Sequence, residues 1–134
     1  MTKIKVDLTS TIIQDDNSET FHQQAPGELT IQQGIIRVSY LEDEQIPVKL
    51  LIKGKEMIIR RGVDHSNYSQ MRFVLGEKSA CRYVVSGRQM DLTSVTNLFS
   101  ARLDQSGKGK VRLEYDLFNG LYLVGNYAVT LIFA

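Results

Sequence analysis

The chain has 134 residues, with 16 Lys plus Arg against 15 Asp plus Glu, 43% hydrophobic residues and 23% charged residues. That length and composition fit one ordinary globular domain with a core of its own, and the near-zero net charge supplies no field to steer nucleic acid or an anionic membrane. One cysteine, Cys81, excludes an internal disulfide and fits a reducing compartment.

The N-terminus, Met1-Thr2-Lys3-Ile4-Lys5-Val6-Asp7, alternates apolar and polar residues and so offers no continuous apolar signal segment. No apolar run approaches the length of a spanning helix. The expected setting is cytoplasmic and soluble, with no membrane partner. Ile4, Val6, Leu8 and Ile12 share one face of a first strand, which ends at the polar turn Asp15-Asp16-Asn17-Ser18. A second strand is expected over Glu19 to Gln24, ended by Ala25-Pro26-Gly27 because proline cannot donate to a ladder. Leu29 and Ile31 lead to a turn at Gln32-Gln33-Gly34, and Ile36, Val38 and Tyr40 face one way on the next strand. Glu42-Asp43-Glu44 reads as an acidic loop. Val48, Leu50 and Ile52, then Met57 and Ile59, form a hairpin about Lys53-Gly54-Lys55.

Gly62 to Ser69 reads as a longer polar loop. Met71, Phe73 and Leu75 resume the alternation, followed by Cys81, Tyr83 and Val85, then Met90 and Leu92, with turns at Gly76–Ser79 and Ser86-Gly87. Between Thr93 and Leu103, Val95, Leu98, Phe99 and Leu103 also fit helical spacing. The content of Thr and Val favours a strand. Beyond the turn Ser106–Gly109, Val111, Leu113, Tyr115 and Leu117 alternate with Lys110, Arg112, Glu114 and Asp116. The last strand, after Asn119-Gly120, places Leu121, Leu123, Tyr127, Val129, Leu131 and Phe133 on one face. The expectation is an all-β domain over residues 1–134, a barrel or sandwich of about nine or ten strands.

Several segments, in this order, resemble the YwiB-like family of small Gram-positive bacterial proteins. They are Val38-Ser39-Tyr40-Leu41-Glu42, Arg60-Arg61-Gly62, Met71-Arg72-Phe73-Val74-Leu75-Gly76, Tyr83 with Gly87, Leu92-Thr93-Ser94 and Gly109–Asp116. The resemblance implies a closed antiparallel barrel similar to the calycins, the group that includes lipocalins, and implies no activity. The absence of tryptophan departs from the lipocalin Gly-x-Trp signature.

Chemistry-bearing residues are sparse. His22, His65 and Cys81 lie in separate elements, too few and too scattered for a metal centre, and no cofactor is expected. Asp64-His65-Ser66 has the residue types of a hydrolytic triad, but three consecutive side chains diverge, so a polar loop is the better reading. Cys81 shares a face with Tyr83 and Val85 and reads as a packing thiol. Gly107-Lys108-Gly109-Lys110 lacks the ending of a phosphate loop and reads as a hairpin turn. No catalytic residue is assigned. Lys108, Lys110 and Arg112 lack the interleaved aromatics that nucleic-acid binding needs.

The arginines carry more information. Arg72 and Arg82 have the parity opposite to the apolar residues and should face water in cross-strand pairs with acids. Arg61 shares the parity of Met57 and Ile59 and should turn toward a barrel mouth. With Tyr40, Tyr83 and Tyr115 it forms a candidate polar anchor for a partly apolar, anionic small molecule. The competing reading is a barrel packed solid by those tyrosines. It acts as an interaction module or homodimer through the doubly apolar strand Tyr127–Ala134. An enzyme is the third and weakest reading.

Overall fold

A computed structural model describes residues 1–134 as ten strands with no helix. They are β1 (Thr2–Gln14), β2 (Asn17–Gln32), β3 (Ile35–Glu42), β4 (Ile46–Lys53) and β5 (Glu56–Asp64). The second half contains β6 (Asn67–Val74), β7 (Lys78–Val85), β8 (Arg88–Leu103), β9 (Gly109–Asn119) and β10 (Tyr122–Phe133). Each strand pairs antiparallel with the next, and β1 pairs with β10, so the sheet closes into a barrel. Closure pairs the first strand with the last, while the Asn17–Pro26 stretch of β2 pairs with β1 and has no partner on β3.

The alternation dictates which side chains fill the barrel. On β9, Val111, Leu113, Tyr115 and Leu117 are buried, while Lys110, Arg112, Glu114 and Asp116 lie on the outer face. Short turns carry the chain between strands. Ser86 and Gly87 both take positive φ, 51° and 76°, as a two-residue turn matched to the strand twist requires.

Odd-numbered connections, from β1–β2 to β9–β10, gather at one end of the barrel, and the even-numbered ones at the other. The second end is solid. Ile4, Val6, Leu29, Val38, Ile52, Met57, Val111 and Phe133 are all buried there, each contributing roughly 1.5–3 kcal/mol by leaving water. The β8–β9 connection folds across it. Asp104 Oδ1 accepts from Ser106 N at 2.9 Å, Ser106 Oγ at 2.6 Å and Lys108 N at 3.1 Å. These bonds, that from the Ser106 hydroxyl foremost, hold the carboxyl below the usual aspartate range. The loop so fixed sets Gly107, at φ +87°, directly against Leu29.

Five local expectations are corrected or refined. The second strand does not stop at Ala25-Pro26-Gly27; β2 runs unbroken through them. Lys5 exchanges its backbone hydrogen bonds with Ala134, so its β2 partner Pro26 turns its nitrogen away from β1. Pairing with β3 begins only at Gly27, so no ladder bond is asked of the proline. The expected loop Gly62–Ser69 is a tight turn instead. Asp64 Oδ1 accepts from Ser66 N at 2.8 Å and Asn67 N at 3.0 Å, joining β5 directly to β6.

Thr93–Leu103 is strand, as its β-formers suggest, within β8. A register shift between Thr96 and Leu98 changes which residues face inward, from Ser94 and Thr96 to Phe99 and Ala101. One extra residue in an alternating strand is what mimicked helical spacing. A second shift, between Leu123 and Gly125, takes Leu123 off the inner face, where the plain alternation had put it, and Leu121 lies exposed in the turn before β10. Leu75 likewise sits exposed beside a turn.

A ligand-sized cavity at the open end

Below the first end, the barrel is hollow. The space measures about 570 Å³. Leu50, Phe73, Leu113 and Leu131 are among its apolar walls, and Ser10, Gln23, Glu42, Arg61 and Ser69 add polar groups. The interior is therefore filled at one end and open at the other, rather than uniformly either.

All four residues singled out by parity, Tyr40, Arg61, Tyr83 and Tyr115, line this one space. Tyr40 and Tyr115 are buried, whereas Tyr83 is 37% exposed and Arg61 about half exposed. Topology brings them together. Tyr40 lies opposite Val48, and Val48 opposite Arg61, so β3, β4 and β5 align these side chains in one row.

Burial, reinforced by nearby Glu42 and opposed by Arg61, pushes the Tyr40 hydroxyl up to about 12. Tyr115 is raised further above the ordinary tyrosine value, by burial first and then by Tyr127, Cys81 and Tyr83 around it. Both rings are thus neutral hydrogen-bonding groups across the physiological range. No tyrosine hydroxyl takes part in the side-chain hydrogen bonds of the fold.

Residues outside the original four complete the site. Glu42 accepts a hydrogen bond from Arg61 Nη2, and its Oε1 also accepts from Gln23 Nε2 at 3.3 Å. Tyr127 stacks on Tyr115, and Phe73 tilts at 44° against the same ring. Glu42 has the parity of Tyr40, two residues earlier. Its position in a run of three acids hid that signal. Cys81 lines the apolar wall, and burial raises its thiol above the usual value. On the inner face of β8, Ser94 and Thr96 hold buried hydroxyls, Ser94 beside the Cys81 thiol.

The remaining motifs lie elsewhere. Asp64 closes the β5–β6 turn through Ser66 and Asn67, Gly107 belongs to the loop over the solid end, and Gly109 begins β9. His22 Nε2 meets Asp7 Oδ1 at 2.8 Å in an exposed pair. Arg72 pairs with Glu56, while Arg82 stands opposite Asp91 in the register without a close ion pair. Arg60 lies over the Tyr68 ring at 5.2 Å. On β10, Ile132 is exposed between Asp7 and Lys110, so its outer surface is not a continuous apolar strip.

The solved structure of the ywiB protein from Bacillus subtilis has the same fold, with a TM-score of 0.85 over 98% of this chain and 90% of that one, at 22% identity. In sequence, the uncharacterized beta-barrel protein YwiB of Bacillus subtilis is 28% identical over 123 residues, covering 89% of this chain and 84% of that protein. The resemblance read from the ordered segments is thereby borne out. Residues 6–131 match the family described as a domain of unknown function, DUF1934, and the chain belongs to that family.

Proposed function

We propose that this protein is a non-enzymatic binding protein that holds one small, largely apolar molecule inside its barrel. The carrying observation is the cavity of about 570 Å³, apolar at its base and polar at its mouth. Its size lies within the range of small-molecule sites, and its few polar groups converge on one side, as orientation of a ligand requires. The apolar part of the ligand lies against Phe73, Leu113 and Leu131. Its polar end reaches Arg61, Tyr40, Tyr83 and Tyr115. Closed antiparallel barrels of the calycin kind use their interiors in this way, an analogy of fold that supports the reading without carrying it. The single buried cysteine supports a cytoplasmic setting.

Native mass spectrometry of gently purified protein tests this reading. A stoichiometric extra mass that disappears on denaturation supports it. Arg61→Ala should reduce that extra mass more than it reduces folding; equal loss of both would assign Arg61 to structure alone.

A second reading, self-association, has one observation in its favour. From Asn17 to Pro26, β2 pairs with β1 on one side only. Such an edge is a template for another strand. Sedimentation showing only monomer at micromolar concentration would count against it.

A further inference from the structure

We infer that the head group held at the barrel mouth carries no net charge and offers a hydrogen-bond donor and an acceptor side by side, as a primary carboxamide does. This rests on the binding reading above and narrows it, replacing the anionic head group that Arg61 alone suggests. Arg61 and Glu42 are the only formally charged side chains lining the cavity. They are already paired with each other, through Arg61 Nη2 and Glu42 Oε1. The charged side chains that line the cavity therefore sum to zero.

An incoming carboxylate or phosphate must compete with Glu42 for the guanidinium. Displacing Glu42 would strand a carboxylate that is only 13% exposed, with the Gln23 amide as its remaining hydrogen-bond donor. Leaving Glu42 in place would set two anions against each other. A lone ammonium meets the converse difficulty, because the acid it needs already holds Arg61. A carboxamide meets neither. Its NH₂ can donate to a Glu42 oxygen and its carbonyl can accept from Arg61, with the ion pair intact. The hydroxyls of Tyr40 and Tyr83 add further donors and acceptors.

Displacement of a neutral fluorescent probe, N-phenyl-1-naphthylamine, provides the test. The competitors are decanamide, decanoate and decylamine, which share one chain and differ in the head. At neutral pH decanamide should compete about tenfold better than either charged analogue, the worth of one well-placed hydrogen-bonding difference. Glu42→Gln should reverse the order of decanamide and decanoate, because it frees Arg61 while nearly preserving shape. Circular dichroism and a urea midpoint establish that the variant is folded. Decanoate or decylamine binding tightest to the natural sequence would overturn the assignment while leaving the binding reading intact. An unchanged order in folded Glu42→Gln would also overturn it. Failure of the probe and all three competitors to bind would overturn the binding reading and this inference together.

Discussion

Tyr115 and Tyr127 stand directly opposite each other on β9 and β10, with their rings parallel to within 3° and their centroids 4.9 Å apart. The pair forms a flat aromatic wall in the cavity, with its hydroxyls outside the fold's own hydrogen-bond network. Tyr115→Phe should therefore change stability by no more than about 1 kcal/mol, since no protein hydrogen bond is lost. Tyr127→Ala removes the stacking partner and should cost about 1 kcal/mol or more. Urea denaturation of the two variants checks the contrast. Similar losses in both would mean that the Tyr115 hydroxyl holds a structural partner.

Alkaline titration should find Tyr40 among the late-ionising tyrosines, beside Tyr115. The Tyr40 hydroxyl ionises at about 12 in the folded protein, against 10.0 for an ordinary tyrosine. The stabilisation linked to its neutral form is complete below pH 10 and is lost as pH rises from about 10 to about 12, because the unfolded chain releases that proton first. The loss should be about 2 kcal/mol, and Tyr40→Phe should lack this part of the decline. Paired urea midpoints across that window decide the matter. Glu42→Gln should bring the Tyr40 value down, since Glu42 is the second cause of its elevation.

Gly107 should tolerate no side chain. A Cβ there would lie 2.4 Å from Leu29 Cδ2, on a backbone already at φ +87°. Gly107→Ala should destabilise the barrel by about 1–3 kcal/mol through strain and displacement of Leu29. Probe binding at the far end should persist while the protein remains folded. An unaltered thermal midpoint would show that the loop is not held against the core.

Cys81 should report on occupancy of the cavity. The thiol is buried and raised above the ordinary value, so little thiolate is available. Alkylation by iodoacetamide should be at least about tenfold slower in the native protein than in urea. Saturation with N-phenyl-1-naphthylamine should slow it further, because Cys81 is part of the cavity lining. Equal rates with and without the probe would place the probe elsewhere.

The sequence made the barrel legible because period-two alternation assigns a face to almost every residue, and the same parity carried Tyr40, Arg61, Tyr83 and Tyr115 to one cavity. It misled where a strand inserts an extra residue. Leu121 and Leu123 kept the inward face on paper, but the shift before Gly125 turns Leu123 out and Leu121 falls in the turn. Pro26 looked like a strand end because a chain read alone does not show which side of each residue needs a hydrogen bond. Glu42 was hidden for a different reason. Its chemistry said solvent, its parity said interior, and the pairing with Arg61 that reconciles them spans the β4 strand between them. Parity identifies who shares a room; it does not reveal who is already holding hands with whom.

The seam between β1 and β10 has a bearing on how the molecule comes into being. Every other strand pairing joins chain neighbours and can form as a hairpin while its surroundings are still loose. The seam alone must bring Val6 to Phe133 and Lys5 to Ala134. Its loop-closure entropy is the largest in the fold, so it is the pairing expected to form late. Until it does, Val6 and Phe133 have no completed core, and the cavity is not enclosed between β1 and β10. Closure of the seam and creation of the cavity are thus one event, and a nascent chain cannot enclose that space until the residues of β10 have been made.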